Sequence, residues 1–327
     1  MILICFGTRP EYIKVKSLIE NLNNIKTCFT GQHNDLLKNI SVDYHLEFKD
    51  SYSANRLNDI VIHILKHTHI FENIDSVLVQ GDTTTAFAIA LSAYHMNKKV
   101  IHLEAGLRTH NIQDPFPEEL NRQLISRIAD IHLCPTKSNK KNLLSENIDE
   151  ATIYVVGNTG LDNINKSGCE YTNKILVTLH RRNNLSIMKD WFTILDKLAI
   201  ENPTIEFILP IHPNPGVQIH RDILKHIRVI EPMSHQDTMD LMKKCKFIIS
   251  DSGGIQEEAS FLNKKIIICR EDTERPEILE NHGVLCKLPN DLPELFNKIN
   301  SDYIVNADCP FGDGISYKKI IETLTIY

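Results

Sequence analysis

Short runs rich in Val, Ile and Leu alternate with longer helix-patterned segments along nearly the whole chain, and this alternation limits the fold more than any other feature. In the first half the strand candidates are Met1–Phe6, Ser76–Val79, Lys99–Leu103, Ile131–Leu133 and Thr152–Val156. In the second they are Ile175–Leu179, Ile205–Leu209, His226–Ile230, Phe247–Ser250 and Lys265–Cys269. Most of these runs do not alternate with polar residues, as expected where helices cover both faces of a parallel sheet. Repeated strand–helix units predict doubly wound α/β domains. The polar stretch Asn163–Lys174, with Gly168, interrupts the pattern before Ile175 starts a new strand. A second break, Cys309-Pro310-Phe311-Gly312, precedes a helix-patterned tail. The expected division is therefore 1–166, 167–310 and 311–327, with two Rossmann-like domains facing a cleft at their strand C-terminal ends, where such folds bind ligands.

A chain of 327 residues has room for two ordinary domains. Apolar residues make up 42% and charged residues 24%, a globular balance. The net charge of −6, with Lys and Arg dispersed, argues against a nucleic-acid-binding face. The apolar runs are strand-sized, so membrane insertion is not expected. The start Met1–Gly7 lacks a basic leader region and reads as a first buried strand. Eight scattered cysteines without a C-x-x-C pair fit reduced thiols and a cytoplasmic setting. His33, His63, His67 and His69 show no defensible ligand spacing, so no metal is expected.

The segment Ser250-Asp251-Ser252-Gly253-Gly254-Ile255-Gln256-Glu257-Glu258 follows an apolar strand and opens a helix. Such a turn aims backbone N–H groups and the positive end of the helix dipole at one spot, which suits phosphate. Its glycines let an anion approach the backbone. Glu257 and Glu258 fall one turn in, where a carboxylate can take a sugar hydroxyl. An ordinary Gly-rich strand–helix turn is the plain alternative. The first strand ends similarly in Gly7-Thr8-Arg9-Pro10-Glu11, with Lys14 a turn later, two cations suited to a diphosphate.

Three acids follow strand ends or open a helix in the first half. Asp82 lies in Gln80-Gly81-Asp82-Thr83-Thr84-Thr85, Glu104 follows the next strand, and Glu118 lies in the turn Pro115–Arg122. Each has a structural alternative as a cap or a dipole-stabilising acid. Three on one side of one domain point to proton transfer. In the second half His180 follows a strand end, and His212 sits in the rigid turn Pro210–Pro215. Arg275 falls within the charged run Arg270–Glu277.

Together these segments resemble the non-hydrolysing UDP-N-acetylglucosamine 2-epimerases of bacteria. The matching motifs are GTRPE (7–11), GQH (31–33), QGDTTT (80–85), EAGLRT (104–109), PFPEELNR (115–122), GNTGLD (157–162), HRRNN (180–184), PIHPNP (210–215), SDSGGIQEEA (250–259) and TERPE (273–277). They stand in family order over almost the whole chain. The resemblance implies a glycosyltransferase-B type fold whose C-terminal helix crosses back to the first domain. It implies a UDP-N-acetylhexosamine substrate, no cofactor, a homodimer, and a place in cell-surface polysaccharide synthesis. By motif, Asp82, Glu104, Glu118 and His180 would be catalytic, and Ser252, Gly253 and Gly254 would meet the diphosphate. Glu258 would take the ribose, and Arg9, Lys14, Arg108, His212 and Arg275 would help bind the nucleotide sugar. The implied reaction expels UDP to leave 2-acetamidoglucal and re-adds it with inversion at C2.

Two departures stand out. The family's HRREN reads His180-Arg181-Arg182-Asn183-Asn184, without the Glu. At a second, activating substrate site, marked here by Gln32, His33, Arg181 and His212, the expected ML after GQHxx reads Leu36-Leu37, and His63 takes the place of an expected Arg. Activation by substrate is therefore expected to be altered or absent. An epimerase of modified UDP-sugars, a hydrolysing relative and a glycosyltransferase of the same fold are the competing readings.

Overall fold

The computed structural model describes residues 1–32, 40–48 and 53–326. They divide into two α/β units, one formed by Met1–Asn163 with the segment from Gly312 onward, the other by Ile164–Phe311. Among the described residues the first unit holds strands β1 (Ile2–Phe6), β2 (Ile25–Phe29), β3 (Tyr44–His45), β4 (Ser76–Gln80), β5 (Lys99–Leu103), β6 (Ile131–Cys134) and β7 (Ile153–Val155). Its helices are α1 (Arg9–Asn21), α2 (Arg56–Lys66), α3 (Thr84–His95), α4 (Glu118–Ile128) and α5 (Lys137–Ser145). The second unit holds β8 (Lys174–Thr178), β9 (Glu206–Pro210), β10 (Arg228–Ile230), β11 (Phe247–Ser250), β12 (Ile266–Ile268) and β13 (Gly283–Leu285). Its helices are α6 (Met188–Glu201), α7 (Pro215–Gln218), α8 (His235–Lys243), α9 (Gly253–Phe261) and α10 (Leu292–Ser301). Helix α11 (Ser316–Ile326) ends the description within the first unit.

All named strands pair in parallel. The sheet orders are β3-β2-β1-β4-β5-β6-β7 and β10-β9-β8-β11-β12-β13. The doubly wound α/β class expected from the sequence is the one seen. Chain order reverses between β1 and β4 in one sheet and between β8 and β11 in the other, and such switch points are where open α/β sheets bind ligands.

The two-residue period of the strands sorts side chains onto two cores. Leu3, Cys5, Val77, Val79 and Val100 pack with Ile60 and Ile64 of α2 and the alanines of α3. Ile4, Phe6, Leu78, Ile101 and Leu103 pack on the other face with Val15 and Leu18 of α1 and Ile320 of α11. Both faces of β1 are therefore dry, which is why its sequence shows no polar alternation. In the second unit Ile175, Val177, Phe207, Leu209, Phe247 and Ile249 pack with Trp191 and Phe192 of α6 and Phe296 of α10. Full burial of side chains this size stabilises by about 1.5–3 kcal/mol each.

Helix α11 is fastened locally. The Asp162 carboxylate accepts the backbone N–H of Ser316 and of Tyr317, each at 2.8 Å, and the Ser17 hydroxyl at 3.2 Å. No helix among the described residues is long and apolar enough to cross a membrane.

Three strands lie outside the sequence expectation. In β2, Ile-Lys-Thr-Cys-Phe mixes polar residues, and Thr27 is held by Asp43 rather than by an apolar layer. β3 and β13 have only two and three residues. The strand expected from His226 starts instead at Arg228, because the His226 backbone and ring both bond to Asp196.

Candidate active site

In the first unit the site candidates gather on the loops after β1, β4 and β5. After β1, Thr8 caps α1 and Glu11 returns the bond, its Oε2 accepting Gly7 N–H at 2.8 Å and Thr8 N–H at 2.7 Å. The other Glu11 oxygen accepts the Thr83 hydroxyl at 2.7 Å, fastening the loop after β4 to the loop after β1. Arg9 opens α1 and is exposed.

Asp82 follows β4 and accepts Arg122 Nε at 2.9 Å and its Nη2 as well. Arg122 also reaches Glu119 at 3.1 Å. Glu104 follows β5 with φ +65°, a left-handed conformation that side chains other than glycine seldom adopt. Its carboxylate pairs with Lys14 and accepts from Gln80 Nε2. Lys14, expected at a phosphate, is thus held on a catalytic candidate.

Of the tandem acids that open α4, Glu118 is half-buried, whereas Glu119 is fully buried and accepts the N–H of Thr109 and of His110. Beneath this loop His102 is fully buried with Nε2 at 2.8 Å from the Gly81 carbonyl, so Nε2 carries the proton. Burial pushes its pKa down to about 3, and the nearby His132, Arg108 and Arg122 push the same way.

Arg108 requires a correction. Its side chain is fully buried, with Nε and Nη2 on the Glu146 carboxylate, Nη2 also on Ser126 and Nη1 on the Leu107 carbonyl. The guanidinium is spent on holding the loop after β5 against α4 and α5, and it leaves the proposed substrate set. At the expected activating site, the Gln32 side chain accepts the Thr85 hydroxyl, and its carbonyl accepts Arg56 Nη2 at 3.3 Å. His63 is buried in α2, edge-on to Phe48 and 4.5 Å from the His67 ring. His33 and the continuation Asn34–Leu37 lie outside the described residues.

In the second unit the candidates flank the β8/β11 switch point. Ser252 opens α9 without a side-chain cap, as α4, α6 and α10 also begin, whereas α1, α2, α3, α5 and α8 are each capped by one. The first N–H groups of α9 are therefore left for an external acceptor. A Cβ on Gly254 would meet nothing within 4 Å, but one on Gly253 would lie 2.8 Å from Arg275 Nη1. Gly253 is thus the position where the backbone lies against Arg275.

Arg275 is buried, with Nε on Glu257 at 2.6 Å and Nη1 on Glu274 at 2.5 Å. Glu274 also binds Arg270 at 2.7 Å and lies 3.8 Å from Arg181. Burial alone would raise the Glu274 pKa, but Arg275, Arg270 and Arg181 outweigh it and hold the carboxyl well below its usual range. Burial, followed by the neighbouring Arg270, lowers Arg181. Glu258 is half-buried and pairs with His235 at 2.8 Å.

Asp251 is fully buried beneath the turn and accepts the N–H of His180 at 2.9 Å and of Arg181 at 2.8 Å, and Asn184 Nδ2 at 3.0 Å. The His180 ring stacks on His212 at 4.8 Å with 10° between planes. Among the described residues no group of three or more His, Cys, Asp or Glu side chains is placed to hold a metal ion.

A sequence model of UDP-N-acetylglucosamine 2-epimerases matches residues 18–325. The chain belongs to that family. It is 39% identical to the UDP-N-acetylglucosamine 2-epimerase of Campylobacter jejuni, over 99% of this chain and 97% of that one. It is 37% identical to the enzyme of that name from Salmonella borreze, over 98% and 97%. The crystal structure of the Neisseria meningitidis UDP-GlcNAc 2-epimerase bound to UDP-GlcNAc is similar with a TM-score of 0.89 and 34% identity, covering both chains fully. That similarity supports the glycosyltransferase-B type for the two-unit fold.

For this 2-epimerase family member, sequence reasoning passed over Arg122, Glu119, Glu274 and Asp251. Asp251 had a signal: it directly follows the apolar strand Phe247–Ser250 and opens the glycine turn. Arg122 and Glu274 show only local charge neighbours in the sequence, Glu119 and Arg270 with Arg275, whereas Asp82 and Arg181 reach them from distant loops.

Proposed function

We propose that the chain interconverts UDP-N-acetylglucosamine and UDP-N-acetylmannosamine without net hydrolysis. The observation that carries this reading is that two kinds of site occur in one chain. One is a helix N-terminus without a side-chain cap, at a glycine turn in the second unit; the other is a pair of cation-held carboxylates on adjacent strand ends in the first.

The C2 proton of the sugar is only weakly acidic, so removal is coupled to departure of UDP. A carboxylate takes the proton, the electrons form the C1–C2 double bond, and the C1–O bond breaks with its pair leaving on UDP. The products are 2-acetamidoglucal and UDP. Return of a proton to the other face of C2, with UDP oxygen attacking C1, completes the epimerisation.

Asp82, Glu104 and Glu118 form the acid/base set. The backbone at Ser252, Gly253 and Gly254, with Arg9 and His180, stabilises the departing diphosphate. His212 packs beside His180, and Glu258 takes the ribose. Arg275 acts from behind the turn by setting the Gly253 backbone, and Lys14 acts by holding Glu104.

The test is turnover in D2O followed by NMR. UDP-N-acetylmannosamine deuterated at C2 is the expected product. Free N-acetylmannosamine with UDP would mean hydrolysis, and no reaction with UDP-N-acetylglucosamine would point to another UDP-sugar or to glycosyl transfer. A homodimer is expected by analytical sedimentation. We also propose that activation by substrate is altered, because His63 of α2 is buried against Phe48 and His67 and Gln32 is engaged by Thr85. Sigmoidal kinetics abolished by changing Gln32 or His212 would overturn that part.

A further inference from the structure

The Asp251 carboxylate is fully buried, and its two oxygens are treated differently. Oδ2 accepts three hydrogen bonds, from His180 N, Arg181 N and Asn184 Nδ2. Oδ1 is buried with no hydrogen-bond partner among the described residues, and His180 Nδ1 lies 3.6 Å from it. An unsatisfied buried carboxylate oxygen is costly, on the order of 1–3 kcal/mol or more. A donor that can swing a few tenths of an ångström onto it is therefore strongly favoured there. Asn184 is itself locked by the Cys269 carbonyl at 2.9 Å and by Trp191 Nε1 at 3.3 Å, so the 180–184 loop is pinned to the end of β11.

The groups facing His180 are Asp251 from the turn after β11 and His212 from the loop after β9. Arg181 is next in the chain, directed to Glu274 and flanked by Arg270 and Arg275. His212 Nδ1 accepts the Asn214 N–H at 3.1 Å, so its lone pair is already used. Burial, then the neighbouring His180, lowers the His212 pKa. Of the two stacked rings, His180 is the one whose Nδ1 faces the buried carboxylate.

We propose that Asp251 is a positioning residue that orients His180 with Nδ1 toward the carboxylate and fixes the imidazolium as the cation met by the diphosphate. The inference rests on the reading of this unit as the UDP-binding one. In the resting state Oδ1 draws the Nδ1–H, and Nε2 is turned to the ligand. When UDP arrives the ring gains or keeps a proton, and the Asp251 charge compensates it inside the protein. When UDP leaves a sugar, the same pair stabilises the charge that develops on it. The logic is that of a carboxylate fixing the tautomer and charge of a histidine.

The experiment is UDP binding to the full chain by calorimetry across pH, in buffers of different ionisation enthalpy, with Asp251→Asn, His180→Asn and the double variant. Asparagine can keep the backbone bonds through its oxygen but places an NH2 group at His180 Nδ1. The expected results are a loss of about tenfold or more in UDP affinity for Asp251→Asn and a shift of the binding pH profile to lower pH by about one unit. No further pH shift is expected when Asp251→Asn is added to His180→Asn. A fall in melting temperature with an unmoved profile and additive losses would mean a merely structural role and overturn the proposal.

Should Asp251→Asn not fold, the unmodified protein still decides. Imidazole NMR must show His180 protonated before His212, with UDP binding linked to a proton on His180; the reverse order sinks the idea. These readouts use binding, so a protein that binds UDP but epimerises nothing would refute the proposed function and leave this inference standing.

Discussion

The two switch points prepare charge in opposite ways. In the first unit the loops after β4 and β5 hold carboxylates, and each is paired with a cation from another element: Asp82 with Arg122 of α4, Glu104 with Lys14 of α1. In the second unit the turn before α9 offers backbone N–H groups, with its arginines and glutamates paired behind it. Pairing in the first unit fixes each carboxylate beside a cation at the end of its strand. Pairing in the second immobilises the side chains behind the turn and leaves the backbone N–H groups at the start of α9 without a side-chain cap. Under the proposed function the first region exchanges protons and the second holds an anion, so variants in each should fail differently.

The largest effect is expected at the first switch point. Asp82→Asn or Glu104→Gln should lower kcat by about 10²–10⁴, the usual range for a positioned acid or base. UDP affinity, measured by calorimetry, should stay near its original value. Full turnover in either variant would remove that residue from the acid/base set, and a lost UDP affinity would erase the contrast between the units.

Next comes the cation behind Asp82. Arg122→Met leaves the fully buried Glu119 without one of its charge partners, and breaking a buried pair costs about 3–5 kcal/mol. Urea unfolding should show that loss, and Arg122→Met with Glu119→Gln should recover part of it. No recovery would mean that Arg122 serves Asp82 alone.

At the second switch point Gly253→Ala places a Cβ 2.8 Å from Arg275 Nη1. The backbone or the guanidinium has to shift, at about 1–3 kcal/mol. UDP affinity should fall by about tenfold or more while the proton-transfer residues remain untouched. Gly254→Ala, which meets nothing, should fold normally and lose UDP affinity only through ligand contact. Equal affinity in Gly253→Ala and the original protein would discard the close-approach argument.

The sequence made legible what depends on local pattern. Ten strands and the turns after β1, β4, β5, β8 and β11 follow from apolar runs ending in Gly, Asp, Glu or His. What was illegible depends on side chains meeting from distant segments. Arg108 sits in a motif and at a strand end, yet its use is decided by Glu146, dozens of residues away. Lys14 reads from the sequence as a cation for phosphate, whereas the fold sets it against Glu104 from another strand end. β3 and β13 are too short for any periodicity, and their existence is set by the strands they join.

The smallest effect is a slope with pH, and it reports on the first unit from below. His102 holds the Gly81 carbonyl, one residue before Asp82, and its pKa in the fold is pushed down to about 3. In the unfolded chain it protonates near pH 6.5. Between those values the unfolded state binds a proton that the folded state refuses, so stability is complete above about pH 6.5 and falls as pH drops toward 3. The slope contributed approaches about 1.4 kcal/mol per pH unit. Glu274, held low by its arginines, loses its contribution only below its own unfolded value near pH 4.5, so above that pH only His102 of the two adds a slope. Urea midpoints between about pH 5 and 6 should therefore become flatter in His102→Gln and keep their slope in Glu274→Gln. The other lowered histidines, His132, His212 and His282, slope the same way, so the difference between variants is the quantity that decides. An unchanged slope in His102→Gln would mean that the neutral ring under Gly81 is not what links acid to the loop carrying Asp82.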